Sequence, residues 1–74
     1  MSETLDTKGL ACPLPVLKTR RMLRNMAEGG ILTVEATDPA SVIDFTHFCN
    51  TTKNEMIEHT EEDGVFTYVI RRGT

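Results

Sequence analysis

Seventy-four residues suffice for one domain, residues 1–74, with a single modest core. A composition of 39% hydrophobic and 26% charged residues excludes a disordered chain, and a net charge of −3 argues against general affinity for nucleic-acid phosphates. Two cysteines, Cys12 and Cys49, far apart in sequence, exclude a disulfide framework.

The opening Met1-Ser2-Glu3-Thr4 has no basic segment followed by an apolar one, and no apolar run approaches membrane-spanning length. A soluble cytoplasmic protein with reduced thiols is expected. In chain order, Thr4 to Thr7 reads as a brief strand, and Lys8-Gly9 as a turn toward Gly9-Leu10-Ala11-Cys12-Pro13-Leu14-Pro15. Proline suits the first helical position, so Cys12 is expected as N-cap, Pro13 at N1 and Pro15 at N3. That assignment leaves the Leu14 N–H as the donor for the Cys12 sulfur, at the positive end of a helix, where thiolate is favoured over thiol.

The helix is expected from Pro13 to about Glu28, ending at Gly29-Gly30. At 100° per residue, Val16, Thr19, Met22, Leu23, Met26 and Ala27 share an inward face, and Lys18, Arg21, Arg24 and Asn25 an outward one, with Arg20 at its margin. Leu14 and Leu17 point to the polar side near Cys12. They read either as scattered surface apolar residues or as a partner-docking patch beside the basic ridge Lys18, Arg21 and Arg24.

Ile31 to Thr37 alternates as a strand. Asp38-Pro39 is a second helix start, with Asp38 as cap and the helix running to about Asn50. Its inward stripe is Val42, Phe45, Thr46 and Cys49, flanked by Ile43 and Phe48, so Cys49 reads as a small core hydrophobe. Asp44 and His47 fall on the outer face, three apart, and could share a proton or a metal. The convergent ligand set that a transition metal needs cannot be assembled, so neither metal nor cofactor is expected. His59 has no local companion, and both histidines read as solvated. Lys53 to Glu61 is a third strand, Glu62-Asp63-Gly64 a hairpin signal, and Val65 to Arg71 a fourth strand, with Arg71 and Arg72 a frayed, solvated end.

The order β-α-β-α-β-β predicts an α/β (α+β) two-layer sandwich: a mixed four-stranded sheet with two helices on one face. Cys12 then sits at the strand-to-helix mouth, where a partner can reach it.

Gly9-Leu10-x-Cys12-Pro13-x-Pro15 followed by a basic amphipathic helix resembles the signature of the TusA-like (SirA-like) sulfur carriers. Asp38-Pro39-Ala40, Phe48-Cys49 and Tyr68-x-Ile70-Arg71-x-Gly73 support the likeness across nearly the whole chain. The resemblance implies a cytoplasmic sulfurtransferase that accepts a sulfane sulfur as a persulfide on Cys12. The donor would be a cysteine desulfurase or rhodanese-like protein, and the sulfur would pass to an acceptor protein in tRNA thiolation, molybdenum-cofactor supply or sulfur oxidation. It implies a fold similar to the C-terminal domain of a translation initiation factor, and Gly9, Pro13, Leu14 and Pro15 as the motif around the thiol. Leu14 stands where tRNA-thiolation members tend to be acidic and Ala11 where they often carry Arg, which leaves the acceptor open. Exchange needs thiolate, and the helix dipole, worth about 0.3–1 kcal/mol for an exposed charge, requires help, for which Lys8 and Arg20 are candidates. Two other classes stay open from the residues alone: a thiol adaptor forming mixed disulfides, and a small RNA-binding module, against which the acidic total counts.

Overall fold

The computed structural model describes residues 2–73; Met1 and Thr74, the ends of the expected 1–74 domain, lie outside the described residues. Six elements follow in the expected order: β1 (Ser2–Asp6), α1 (Leu14–Arg24), β2 (Ile31–Ala36), α2 (Ser41–Thr51), β3 (Glu55–Glu62) and β4 (Val65–Arg71). They build a mixed sheet of order β1-β2-β4-β3, with β1 parallel to β2 and the other neighbours antiparallel.

Alternation in β2 and β4 sets which face is covered. Leu32, Val34 and Ala36 of β2 oppose Ile70, Tyr68 and Phe66 of β4, and all but the partly buried Phe66 are enclosed beneath the helices. Leu23 from α1, and Phe45 and Phe48 from α2, close this core. Phe45 stacks on Tyr68 with ring centroids 4.4 Å apart, and the Tyr68 hydroxyl shares a 2.8 Å hydrogen bond with the buried Ser41 hydroxyl at the first residue of α2. The hairpin turns through Asp63 and Gly64, both with positive φ (52° and 80°), the pairing that a tight two-residue turn between twisted strands requires.

Several boundaries differ from those expected. β1 begins two residues earlier and stops at Asp6; the next residue, Thr7, still donates both its N–H and its hydroxyl to the Glu35 carbonyl, at 2.8 and 2.6 Å. α1 ends at Arg24, four residues short of Glu28. There the Leu23 carbonyl accepts from both the Met26 N–H (3.1 Å) and the Arg72 Nε–H (2.6 Å), so Ala27 is exposed and Met26 only flanks the core. β3 starts at Glu55, and a register shift between Met56 and Glu58 turns Ile57 outward. In α2, Ser41, Phe45 and Phe48 form the buried stripe, which moves Thr46 out and Phe48 in. Cys49 packs against the core as expected, and burial pushes its thiol pKa up.

Candidate functional site around Cys12

Because β1 and β2 are parallel, the chain leaves both at the same end of the sheet, and the starts of α1 and α2 meet there. The loop carrying Cys12 is stitched to the loop after β2. The Gly9 N–H donates to the Thr37 hydroxyl at 2.9 Å, Leu10 N–H to the Thr7 carbonyl at 3.2 Å, and Cys12 N–H to Asp38 Oδ2 at 2.6 Å. Gly9 has φ +84°, a left-handed turn that favours glycine and swings the chain toward the thiol. Cys12 is exposed.

Asp38 is therefore more than a helix cap. Its Oδ1 accepts from the Ala40 N–H at 3.1 Å, as an Asx turn does, while Oδ2 holds the Cys12 backbone. α2 itself begins at Ser41, with Ala40 as its N-cap.

Three expectations about Cys12 are corrected. It is not the N-cap of α1: the Cys12–Pro13 peptide is cis, and Leu14 N–H closes a four-residue turn onto the Ala11 carbonyl at 2.9 Å. Pro13 takes the cap position, Leu14 is the first helical residue and Pro15, buried, the second. The Leu14 N–H is thus spent on Ala11 and not on the sulfur. Pro13 and Pro15 have none to give, and among the described residues no backbone N–H donates to Cys12 Sγ.

Second, the thiol pKa is raised, not lowered. A hydrogen bond from the thiol to the Asp44 carboxylate favours the protonated form, and desolvation and the negative charges of Asp44 and Asp38 add in the same direction. Third, neither proposed cation serves the sulfur. Lys8 is held between Asp6 Oδ1 and Glu35 Oε1, both at 3.1 Å, and those bonds raise its own pKa. Arg20 lines a cleft toward the far end of α1.

Asp44 is the neighbour that sequence reasoning placed wrongly, on an outer face with His47. Both residues line a groove of about 320 Å³ between α1 and α2, whose near wall is Pro13 and Val16. Parallel pairing of the first two strands was the available signal, because it brings the first turn of α2 beside the start of α1.

Beside the thiol, Leu14 and Leu17 are 45% and 50% exposed, and Lys18, Arg21 and Arg24 are exposed along the same helix. His47 and His59 are exposed as expected, with His59 lying 6.4 Å from the Tyr68 ring. The reading of Arg71 and Arg72 as frayed does not hold: Arg71 pairs with Glu55 across β3 and β4, and Arg72 is partly buried against α1. No helix among the described residues is long and apolar enough to cross a membrane.

Comparison with known proteins places this geometry in a lineage. The family described as sulfurtransferase TusA matches residues 3–72. The sulfur carrier protein TusA of Allochromatium vinosum is 46% identical over 70 residues, covering 95% of this chain and 92% of that protein. Its namesake in Pseudomonas putida F1 is 44% identical over 68 residues, covering 92% and 85%. The crystal structure of a SirA-like protein from Desulfitobacterium hafniense superposes with a TM-score of 0.85 at 28% identity, covering 97% of this chain and 99% of that one. A family match over almost the whole chain and a shared fold agree with the thiol-bearing mouth: the chain belongs to the TusA sulfurtransferase family.

Proposed function

We propose that this protein is a sulfur carrier that receives a sulfane sulfur on Cys12 and passes it to an acceptor protein. The observation that carries the reading is an exposed thiol fixed at the mouth of the sandwich, in a chain of the TusA family. Cys12 and Cys49 differ in the way the chemistry demands: one is open to a visiting protein, the other is partly buried against the core.

In the loading step the Cys12 thiolate attacks the terminal sulfur of a donor persulfide, R–S–SH. The donor S–S bond breaks and R–S⁻ leaves with its electron pair, while a new S–S bond forms to give Cys12–S–SH. No external oxidant is needed, because the oxidised sulfur changes hands. Unloading repeats the step, with the acceptor thiolate attacking the terminal sulfur and Cys12–S⁻ leaving. The chain's own part is positional: the Asp38 bond and the turn at Pro13 hold the loop, and Gly9 directs it outward.

The donor is a cysteine desulfurase or rhodanese-like protein in the reducing cytoplasm. Partners dock on Leu14 and Leu17, beside Lys18, Arg21 and Arg24. An exposed apolar pair rimmed by cations gives a contact that is both desolvating and charge-selective.

The test is an intact mass under non-reducing conditions after incubation with a cysteine desulfurase, pyridoxal phosphate and free cysteine. One added sulfur atom is expected, kept in Cys49→Ala and lost in Cys12→Ala. A covalent complex with the desulfurase and no persulfide form would instead make the protein a mixed-disulfide adaptor. Leu14→Glu/Leu17→Glu should raise the carrier concentration needed for half-maximal loading and leave Cys12 alkylation unchanged.

A further inference from the structure

Of the eight lysines and arginines, two meet carboxylates among the described residues: Lys8 with Asp6 and Glu35, and Arg71 with Glu55. Four of the remaining six, Arg20, Arg24, Lys53 and Arg72, line a single cleft of about 170 Å³ whose wall includes Leu23 and Phe48. In a protein of net charge −3, this concentration of cations with no carboxylate partner among the described residues is a local inversion of the overall sign.

The cleft is built. Arg72 donates from Nε to the Leu23 carbonyl at 2.6 Å and from Nη1 to the Gly73 carbonyl at 3.2 Å, which fixes its guanidinium against α1 and leaves further N–H donors unassigned. Gly73 donates its N–H to Asn54 Oδ1 at 3.1 Å, and a Cβ at Gly73 would lie 1.7 Å from the Lys53 carbonyl oxygen. Only a residue without a side chain lets the end of β4 pack so closely on the segment bearing Lys53.

We infer that the cleft formed by Arg20, Arg24, Lys53 and Arg72 is a binding site for a phosphate group. Planar guanidinium forks match the oxygen geometry of phosphate, and several converging cations suit a group of charge near −2 better than a lone carboxylate. Its volume of about 170 Å³ is ample for a phosphate group. The ten steps from Leu14 to Arg24 span about 15 Å at about 1.5 Å each, so a ligand here leaves Cys12 open. The site shares Arg24 with the docking ridge, so the test variants are placed at Arg20 and Lys53.

Backbone amide shifts of the full-length protein, titrated with inorganic phosphate against chloride at matched ionic strength, test it. Saturable shifts confined to the amides of Arg20, Lys53, Asn54 and Gly73 are expected. Arg20→Gln/Lys53→Gln, whose side chains are exposed, should weaken binding about tenfold and leave persulfide loading unchanged. An oligouridine arm identifies the source: tighter binding than free phosphate marks a polynucleotide backbone, and binding of free phosphate alone marks a small phosphorylated ligand. Non-saturating shifts, shifts equally large on Lys18 and Arg21, or unchanged affinity in the folded double variant would overturn the assignment.

Discussion

Tyr68→Phe removes one oxygen from the centre of the molecule and leaves the Ser41 hydroxyl, 1% exposed, without its partner. The Phe45 stack and the packing of the ring are retained, so the change isolates the hydrogen bond. Leaving a buried hydroxyl unsatisfied costs about 1–3 kcal/mol. A chain of this length has about 4–11 kcal/mol of total stability at about 0.05–0.15 kcal/mol per residue, so the loss is a large share of it. Urea unfolding followed by circular dichroism should show a lower midpoint at constant slope, and the melting temperature should fall about 4–8 °C for each kcal/mol lost. Ser41→Ala should behave similarly, and the double variant should lose less than the sum of the singles, because no orphaned hydroxyl remains. Alkali gives a second readout. Burial raises the Tyr68 pKa above its ordinary 10.0, partly offset by the Ser41 bond, with the charge of Asp44 raising it a little further. The stability this group contributes is whole below pH 10 and is lost as pH rises through the folded value. The gap between wild type and Tyr68→Phe should therefore narrow above pH 10. Strict additivity of the two substitutions, or a change within about 0.5 kcal/mol as at an unremarkable surface site, would refute the reasoning.

In a Cys49→Ala background, Asp44→Asn should shift the pH profile of Cys12 alkylation to lower pH and speed the reaction near neutrality, because the carboxylate that favours the protonated thiol is gone. Asp44→Glu should restore much of the original profile, and an unmoved profile in Asp44→Asn would remove Asp44 from the account. Thr19, fully buried in α1, has a hydroxyl with no hydrogen-bond partner among the described residues. Thr19→Val should raise stability by about 1 kcal/mol, read as a higher melting temperature, and a lower one would show that the hydroxyl is satisfied.

What the sequence made legible was periodic. Alternation in Ile31–Ala36 and Val65–Arg71, the Asp63-Gly64 turn and the helical spacing of Thr19 and Leu23 carry one signal each, and together they fix the two-layer fold. The apolar pair Leu14 and Leu17 was legible for the same reason, and the exposure of Cys12 from its place at the strand-to-helix mouth. What was hidden arises between segments distant in sequence. Asp38 reaches 26 residues back to the Cys12 N–H, and Arg72 reaches 49 residues back to the Leu23 carbonyl, which helps end α1 before the glycines that seemed to set its limit. The N-cap reading of Cys12 failed because propensity places proline inside a helix start without saying which neighbouring carbonyl will claim the Leu14 N–H.

The electrostatics of Cys12 run opposite to the picture of a thiol activated by its helix, and the reversal suits a carrier. Oxidation and adventitious disulfide exchange follow thiolate character and exposure, and Cys12 is exposed. With Asp44 and Asp38 both disfavouring the anion, the free protein keeps its sulfur mostly as thiol. A partner that placed a cation against Asp44 would remove that bias only while docked. The charge layout along α1 strengthens the point, because acids face the reactive end and Arg20, Arg24, Lys53 and Arg72, with no carboxylate partner among the described residues, gather at the other. The orientation of an incoming protein would thereby be set by sign before any close contact forms. A thiol of raised pKa is also the more nucleophilic once ionised, so restraint in the free state does not entail a slow attack in the complex.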